Sequence, residues 1–257
     1  MRLLTLLSDF GSTSPYPAAM KAVVAARVEV VFLDITHDVP RHDVQQGAYL
    51  LAAVVPCCPP GTVHLAVVDP GVGTARRPLV VQSGGHLFVG PDNGLLLPAA
   101  RRLGQPQAWV LDPAVALPGA SATFHGRDLF APAAARLLAG EPPDRLGSPV
   151  TDLVDLAWPA GRREGEDLVG EVLYSDPFGN LITSIPATLL PHAGTLRLET
   201  PGGAREVAVR RTYGEGAPGE LLVLAGSDGL VEIAVREGSA AAALRLGPGA
   251  PVRLRPV

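Results

Sequence analysis

Cysteine is nearly absent from this 257-residue chain: Cys57 and Cys58 are the only two, and they are adjacent. Neighbouring cysteines cannot easily bridge to each other, so no disulfide framework is possible and the chain reads as a reduced, cytoplasmic protein. An excess of positive charge is also lacking. The 21 Lys and Arg stand against 25 Asp and Glu, for a net charge of -4 and a pI near 5.9. That leaves no electrostatic footprint for nucleic acid. Long hydrophobic runs are missing, which excludes a membrane-spanning helix. The apolar opening "MRLLTLL" stops at Ser8-Asp9, too short for a signal-peptide core, and reads as a first core strand. Lysine is reduced to Lys21 and asparagine to Asn93 and Asn180, while prolines number 26. GC-rich coding produces such a bias; scarce Asn, Cys and Met with proline-rich loops are also a thermophile's pattern.

What is present is enough for a sizeable core, since 47% of the residues are hydrophobic and 18% charged. The first part of the chain alternates strands and helices. "RLLTLLSDFG", "EVVFLDITHDV" and "GTVHLAVVDPGVG" read as strands, each closing on an acid: Asp9, Asp34 and Asp69. "PAAMKAVVAARV", "DVQQGAYLLAAVV" and "RDLFAPAAARLLAG" have helical spacing, and Gly140 ends the last. "PLVVQSGGHLFVGPDNG" reads as a hairpin turning at Ser83-Gly84-Gly85. This alternation predicts an α/β domain with a mainly parallel sheet covered on both faces. Ligands of such sheets bind beyond the carboxyl ends of the strands, where the three acids stand.

The polar stretch "WPAGRREGEDLVG", 158 to 170, marks a domain boundary. Beyond it come short strands separated by turns, with no long helix. The expected organisation is an α/β domain over 1–160 and a smaller all-β, barrel-like domain over 168–257.

Six histidines invite a metal, but they are scattered without HExxH or Cys-His spacing, so no metal site is expected. His64, His86 and His192 read as surface or hydrogen-bonded residues. "DPGVG" and "GSDG" match neither GxGxxG nor GxxxxGK[ST], so no nucleotide-phosphate cradle is expected. In "ATFHGRD", Arg127 and Asp128 read as a helix-start salt bridge, and His125, in the loop before the helix, is the functional candidate. "YSDPFGNLITS" places Asp176, Phe178 and Asn180 in a turn. Those residue types suit a plain turn, and equally an aromatic ring with carboxylate and amide for a ligand.

Several of these stretches together resemble one family. "SDFGSTSPYPAAMKAVV", "DITHDVPRHDVQQGAYLL", "GTVHLAVVDPGVGTARR", "FVGPDNGLL", "TFHGRD", "YSDPFGNLITSI" and "GSDGLVEIAVREGSAA" resemble, in order from about residue 3 to 247, the S-adenosyl-L-methionine (SAM) hydroxide adenosyltransferases. These adenosine-forming SAM hydrolases are relatives of the fluorinase and chlorinase. The resemblance implies hydrolysis of SAM to adenosine and L-methionine by attack at the ribose 5′ carbon. It implies a homotrimer with sites between one subunit's N-domain and a neighbour's C-domain, and no cofactor beyond the substrate. Carried over by motif, Asp69, Arg76 and His125 are the catalytic set. Asp9, with Asp69, is expected at the ribose hydroxyls, and Asn180, Ser227, Glu232 and the backbone at Val235 at the adenine. Asp176 and Phe178 are expected near the methionine part and the ring, with Thr123 and Phe124 completing the binding wall.

The halogenases of the family carry tyrosine, threonine and tyrosine where this chain has Asp69, Val72 and His125, so the resemblance points to a hydrolase. A SAM-dependent halogenase and a non-catalytic SAM or adenosine sensor are the alternatives. The chain departs from the family in "MKAVV", in "PYPAAM", and in Gly226 and Asp228 around Ser227, which touches binding detail more than reaction type. An arginine beside a carboxylate weakens it as a base, so Arg76 is read as aligning water and carboxylate, or as acidifying the bound water. His125 is read as relaying the released proton.

Overall fold

The computed structural model describes residues 2–257; Met1, the head of the opening strand segment, lies outside them. The chain divides into two compact units, residues 1–157 and 158–257.

In the first unit the elements run β1 (Leu3–Ser8), α1 (Tyr16–Ala25), β2 (Val31–Thr36), α2 (Val44–Val54), β3 (Val63–Val67), β4 (Pro78–Ser83), β5 (His86–Pro91), α3 (Leu97–Leu103), β6 (Gln107–Leu111), α4 (Ala131–Leu138) and β7 (Gly147–Val150). The seven strands form one sheet in the order β2-β1-β3-β5-β4-β6-β7. β2, β1, β3 and β5 are mutually parallel, and β4 is antiparallel to both β5 and β6. β6 therefore also runs with the parallel group, and β4 and β7 run against it.

The centre of this sheet is dry on both faces, which is why β1 and β3 are almost uninterrupted apolar runs. Leu4 and Leu6 pack with Met20 and Val24 of α1 and with Phe130 and the alanines of α4. Leu7, pointing the other way, meets α2 at Gly47, where an added Cβ would stand 3.0 Å from Leu95 and 3.1 Å from Val68. Asp43 caps α2 by accepting from the Gln46 N–H at 2.9 Å. Gly84 and Gly85 turn β4 into β5 at φ +55° and +80°, the left-handed pair that a two-residue hairpin needs.

The second unit contains β8 (Arg162–Glu164), β9 (Asp167–Ser175), β10 (Leu181–Pro186), β11 (Gly194–Thr200), β12 (Gly203–Val209), β13 (Leu221–Ala225), β14 (Leu230–Val235), α5 (Ala240–Leu244) and β15 (Pro251–Pro256). Its strands follow the order β10-β14-β13-β12-β11-β15-β9-β8, and a further pairing of β9 with β10 closes seven of them into a barrel. Closure leaves those seven strands without a free edge. Leu168, Val172, Leu181, Leu198, Val223, Ile233 and Leu254 fill the interior.

Candidate active site

Asp69 stands two residues past the end of β3, carried there by a buried strand whose position is fixed on both sides. The chain then reverses tightly. The Val72 N–H donates to the Asp69 carbonyl at 3.2 Å and the Thr74 N–H to that of Gly71 at 3.1 Å. Gly73 adopts φ +76°. A Cβ on Gly71 would stand 3.1 Å from Cγ of Arg76, so the missing side chain is what admits the returning arginine.

Arg76 Nε donates to Asp69 Oδ1 at 2.9 Å and Oδ2 at 3.0 Å, and Nη2 also donates to Oδ2. The two side chains are 10% and 4% exposed, so the pair is buried and charge-assisted. The guanidinium lies 5.0 Å from the centroid of the Phe130 ring, and its Nη1 is buried without a partner.

The same Nη2 lies 3.0 Å from Nδ1 of His125. A guanidinium can only donate, so Nδ1 must accept and the imidazole proton resides on Nε2. Burial lowers the His125 pKa below its ordinary value, Arg76 lowers it further, and Asp69 and Asp128 oppose. His125 is thus a neutral ring with its Nε2–H turned away from Arg76. A relay of the released proton through this ring would have to run by Nε2, the nitrogen that Arg76 leaves free.

A cavity of about 650 Å³ is lined by Asp9, Asp69, Thr123, Phe124 and His125, with Phe10, Tyr16, Arg41, His42, Val72 and Arg127 among its other walls. Arg76 sits behind Asp69 and is not one of the lining residues. Asp9 follows β1 directly and accepts from the His42 N–H at 3.0 Å. Asp128 accepts from the Ser121 N–H at 2.8 Å and from Arg127 at 2.6 and 2.8 Å, so the helix-start salt bridge is present. Arg127 first, against burial, holds the Asp128 carboxyl below the usual range.

Asp34 does not join Asp9 and Asp69 in this cavity. It lies within β2, bound to Lys21 at 2.5 Å and to His37 at 3.2 Å. Burial pushes its pKa up but is outweighed by those two partners, and the net shift is downward. His64 and His86 are buried in a chain from Thr5 (2.7 Å to His64 Nδ1) and between their own rings (3.1 Å).

The second unit has a cavity of its own, of about 520 Å³, lined by Asp176, Phe178, Asn180, Tyr213, Val235, Arg236, Glu237 and Gly238. Asp176 holds the turn that carries it: Oδ1 accepts from the Phe178 N–H at 2.9 Å and the Asn180 N–H at 2.8 Å, and Oδ2 from Asn180 Nδ2 at 3.0 Å. The turn leaves Phe178 79% exposed. Ser227 and Glu232 are not lining residues. Glu232 stands behind Tyr213, whose hydroxyl donates to it at 2.6 Å. Burial raises the Glu232 pKa, with Tyr213 opposing, and burial followed by Glu232 raises that of Tyr213. Tyr213 gave no signal in the sequence because it stands alone in a polar loop. Among the described residues no group of three or more His, Cys, Asp or Glu is placed to hold a metal ion, and no helix is long and apolar enough to cross a membrane.

Residues 4–147 match the SAM hydroxide adenosyltransferase N-terminal domain and residues 170–253 the C-terminal domain of the same family. The chain belongs to the SAM hydroxide adenosyltransferase family. Among its relatives in that family, it is 46% identical to a protein of Thermus thermophilus named (R)-S-adenosyl-L-methionine hydrolase, over 99% of this chain and all of that one. A protein of the same name from Salinispora tropica is 45% identical over 98% of this chain and 97% of that one. A fluorinase of Actinoplanes is more distant, 27% identical over 75% of this chain and 74% of its own. Among solved structures, an uncharacterized conserved protein from Thermotoga maritima superposes with a TM-score of 0.90 at 33% identity, covering 98% of this chain and 99% of that one.

Proposed function

We propose that this SAM hydroxide adenosyltransferase hydrolyses S-adenosyl-L-methionine, in the (R) form for which its relatives are named, to adenosine and L-methionine. Water, activated at Asp69, attacks the ribose 5′ carbon and the sulfonium leaves as a neutral thioether. The observation that carries the reading is the hydrogen-bonded Asp69–Arg76–His125 set, with Asp69 and His125 on the wall of a 650 Å³ cavity, a size suited to a small-molecule substrate.

The roles follow from what each group can do. Arg76 has no acceptor and does not line the cavity, so it is a positioning residue that fixes Asp69 and the His125 tautomer. His125 offers an Nε2–H, which suits holding the attacking oxygen rather than deprotonating it. That leaves Asp69 as the proton acceptor, through the lone pair of Oδ1 that its single bond from Arg76 leaves free. In this reading Asp9 accepts from the ribose hydroxyls, and Asn180, Val235 and Tyr213 face the adenine. A halide-transfer reading would place an anion against the acceptor oxygens of Asp69, which offer it no hydrogen-bond donor.

The reading further has a cytoplasmic homotrimer working without metal or cofactor, the cavity of one copy's first unit completed by a neighbour's second unit. Each unit carrying its own open cavity supports it. The decisive experiment is incubation with SAM in oxygen-18 water: label is expected in adenosine, and label in homoserine or methanol, the products of attack at the other two carbons on the sulfonium, or no cleavage of either sulfonium epimer, overturns the reading. Sedimentation showing an active monomer, or chelator-sensitive activity restored by zinc, removes the trimer or the metal-free chemistry respectively.

A further inference from the structure

Three aromatic rings line the first cavity, and none has a chemical role in the scheme above: Phe124, expected on the binding wall, and Phe10 and Tyr16, which the sequence did not point to. Phe10 follows β1, Tyr16 opens α1, and Phe124 precedes the helical turn of His125. Phe10 and Tyr16 stand at the two ends of the connection from β1 to α1 and Phe124 comes from a distant loop, yet each packs edge-on against the other two. Centroids are 5.7 Å apart for Phe10 and Tyr16, 5.8 Å for Phe10 and Phe124, and 5.1 Å for Tyr16 and Phe124. Gly126 makes room for them, since a Cβ there would stand 3.2 Å from Cε2 of Phe124 and 3.3 Å from Cε2 of Phe10.

All three line the cavity together with Asp9 and Asp69. Tyr16 is 49% exposed and is not among the residues packed on the core, so its position is not explained by core packing. Phe124 already demonstrates the chemistry: the Arg127 guanidinium lies 4.9 Å from its centroid. Phe10 and Phe124 back onto the hydrophobic core and Tyr16 is the exposed member of the three, so the cluster is anchored on one side and open to the cavity on the other.

The charges nearby favour a cation on that open side. Asp69 is paired with Arg76, and Arg127 with Asp128, while Asp9 accepts from the backbone N–H of His42. Arg41 is the opposing charge on the wall, at its exposed rim.

We infer that Phe10, Tyr16 and Phe124 form a π-faced cage for the sulfonium of the substrate, and that they select the charged onium over the neutral thioether. An onium carries its charge over apolar alkyl groups, which is what ring faces with a carboxylate nearby recognise. The inference rests on the SAM reading, and it assigns to the cage the ability to tell SAM from S-adenosylhomocysteine, the same molecule without the methyl group and the charge. Hydrolysis would remove the attraction as it removes the charge, loosening methionine for release.

The test is binding of SAM and of S-adenosylhomocysteine by calorimetry to wild type, Tyr16→Leu and Tyr16→Phe, each carrying Asp69→Asn to slow turnover, with circular dichroism confirming the fold. Tyr16→Leu is expected to weaken SAM by about 2- to 30-fold, the worth of one cation–π contact, and S-adenosylhomocysteine by less than twofold. Tyr16→Phe, which keeps the ring, should keep the discrimination. Equal weakening of both ligands, or loss of both in a folded variant, would show that the ring is an apolar wall and overturn the cage. If Tyr16→Leu does not fold, the same comparison on Phe10→Leu decides. A wild-type protein that neither binds nor cleaves SAM refutes the functional reading instead, so the two failures are distinct.

Discussion

Replacing Arg76 by lysine separates charge from geometry at the centre of the site. The arginine fork delivers Nε to both oxygens of Asp69 at 2.9 and 3.0 Å, and Nη2 to Oδ2 and to His125 Nδ1, the latter at 3.0 Å. An ammonium keeps the positive charge but is a point donor and cannot reproduce the fork. Asp69 remains compensated, so the penalty of about 3–5 kcal/mol for stranding a buried charge is avoided and the melting temperature should move little. Catalysis should suffer far more. Misplacing a catalytic group costs about 10²-fold, and holding a histidine in the wrong tautomer about 10⁴-fold, so kcat is expected to fall between those limits. Single-turnover SAM cleavage at saturation measures it. Nitrogen-15 chemical shifts of His125 report the tautomer, with Nδ1 unprotonated in wild type and mixed in Arg76→Lys. A lysine variant within about fivefold of wild-type kcat, or a wild-type His125 protonated on Nδ1, would refute the role given to Arg76.

Three other outcomes are expected. His125→Gln, whose amide can place an N–H where Nε2–H stands, should keep at least about tenfold more activity than His125→Ala; equal loss in both would return His125 to the role of base. Asp69→Asn should lower kcat by about 10²–10⁴ while adenosine still binds by calorimetry, and near-wild-type single-turnover cleavage would reduce Asp69 to a binding group. His64 is held down to about 3 by burial and by His86. The unfolded chain therefore protonates it first, and stability should fall as pH drops below about 6.5, by up to about 1.4 kcal/mol per unit. Melting of His64→Gln between pH 7.5 and 4.5 should show a shallower loss than wild type, and parallel curves would exclude His64 as the source.

Much of this was legible in the chain. Buried strands such as "HLAVV" run straight into an acid, and a parallel sheet leaves such acids beyond its carboxyl edge, so Asp9 and Asp69 could be placed from pattern alone. Asp34 could not: its strand looks the same, but Lys21 and His37 bind it away from the cavity, and only tertiary position distinguishes it. The strand Gln107–Leu111 and the strand Gly147–Val150 carry no sequence signal because each is short and only partly buried, so neither shows a clean alternation. The motif marks Arg76 but not the direction of its side chain. The sequence allowed it to face the bound water, whereas the fold turns its donors onto Asp69 and His125. Phe10 and Tyr16 flank one glycine-, serine- and proline-containing loop, where no period marks a wall, and only the approach over Gly126 brings them to Phe124.

The proposed cage and the triad oppose each other in a useful way. The positive charge of the sulfonium disappears as the carbon–sulfur bond breaks, so every contact that recognises that charge stabilises the bound substrate more than the transition state. Ring faces and the Asp9 carboxylate therefore tighten binding without accelerating the reaction. The rate must come from groups that act on the nucleophile, and in the first unit those are the neutral His125, the oriented carboxylate of Asp69 and the arginine that fixes both. Weakening the cage should accordingly raise KM while kcat/KM changes less than KM, whereas weakening the triad should lower kcat with KM nearly held. Opposite signatures from Tyr16→Leu and Arg76→Lys would assign recognition and chemistry to different side chains of one cavity. A Tyr16→Leu variant that lost kcat at constant KM would instead mean that the ring acts on the reacting atoms, and the division of labour drawn from the geometry would be wrong.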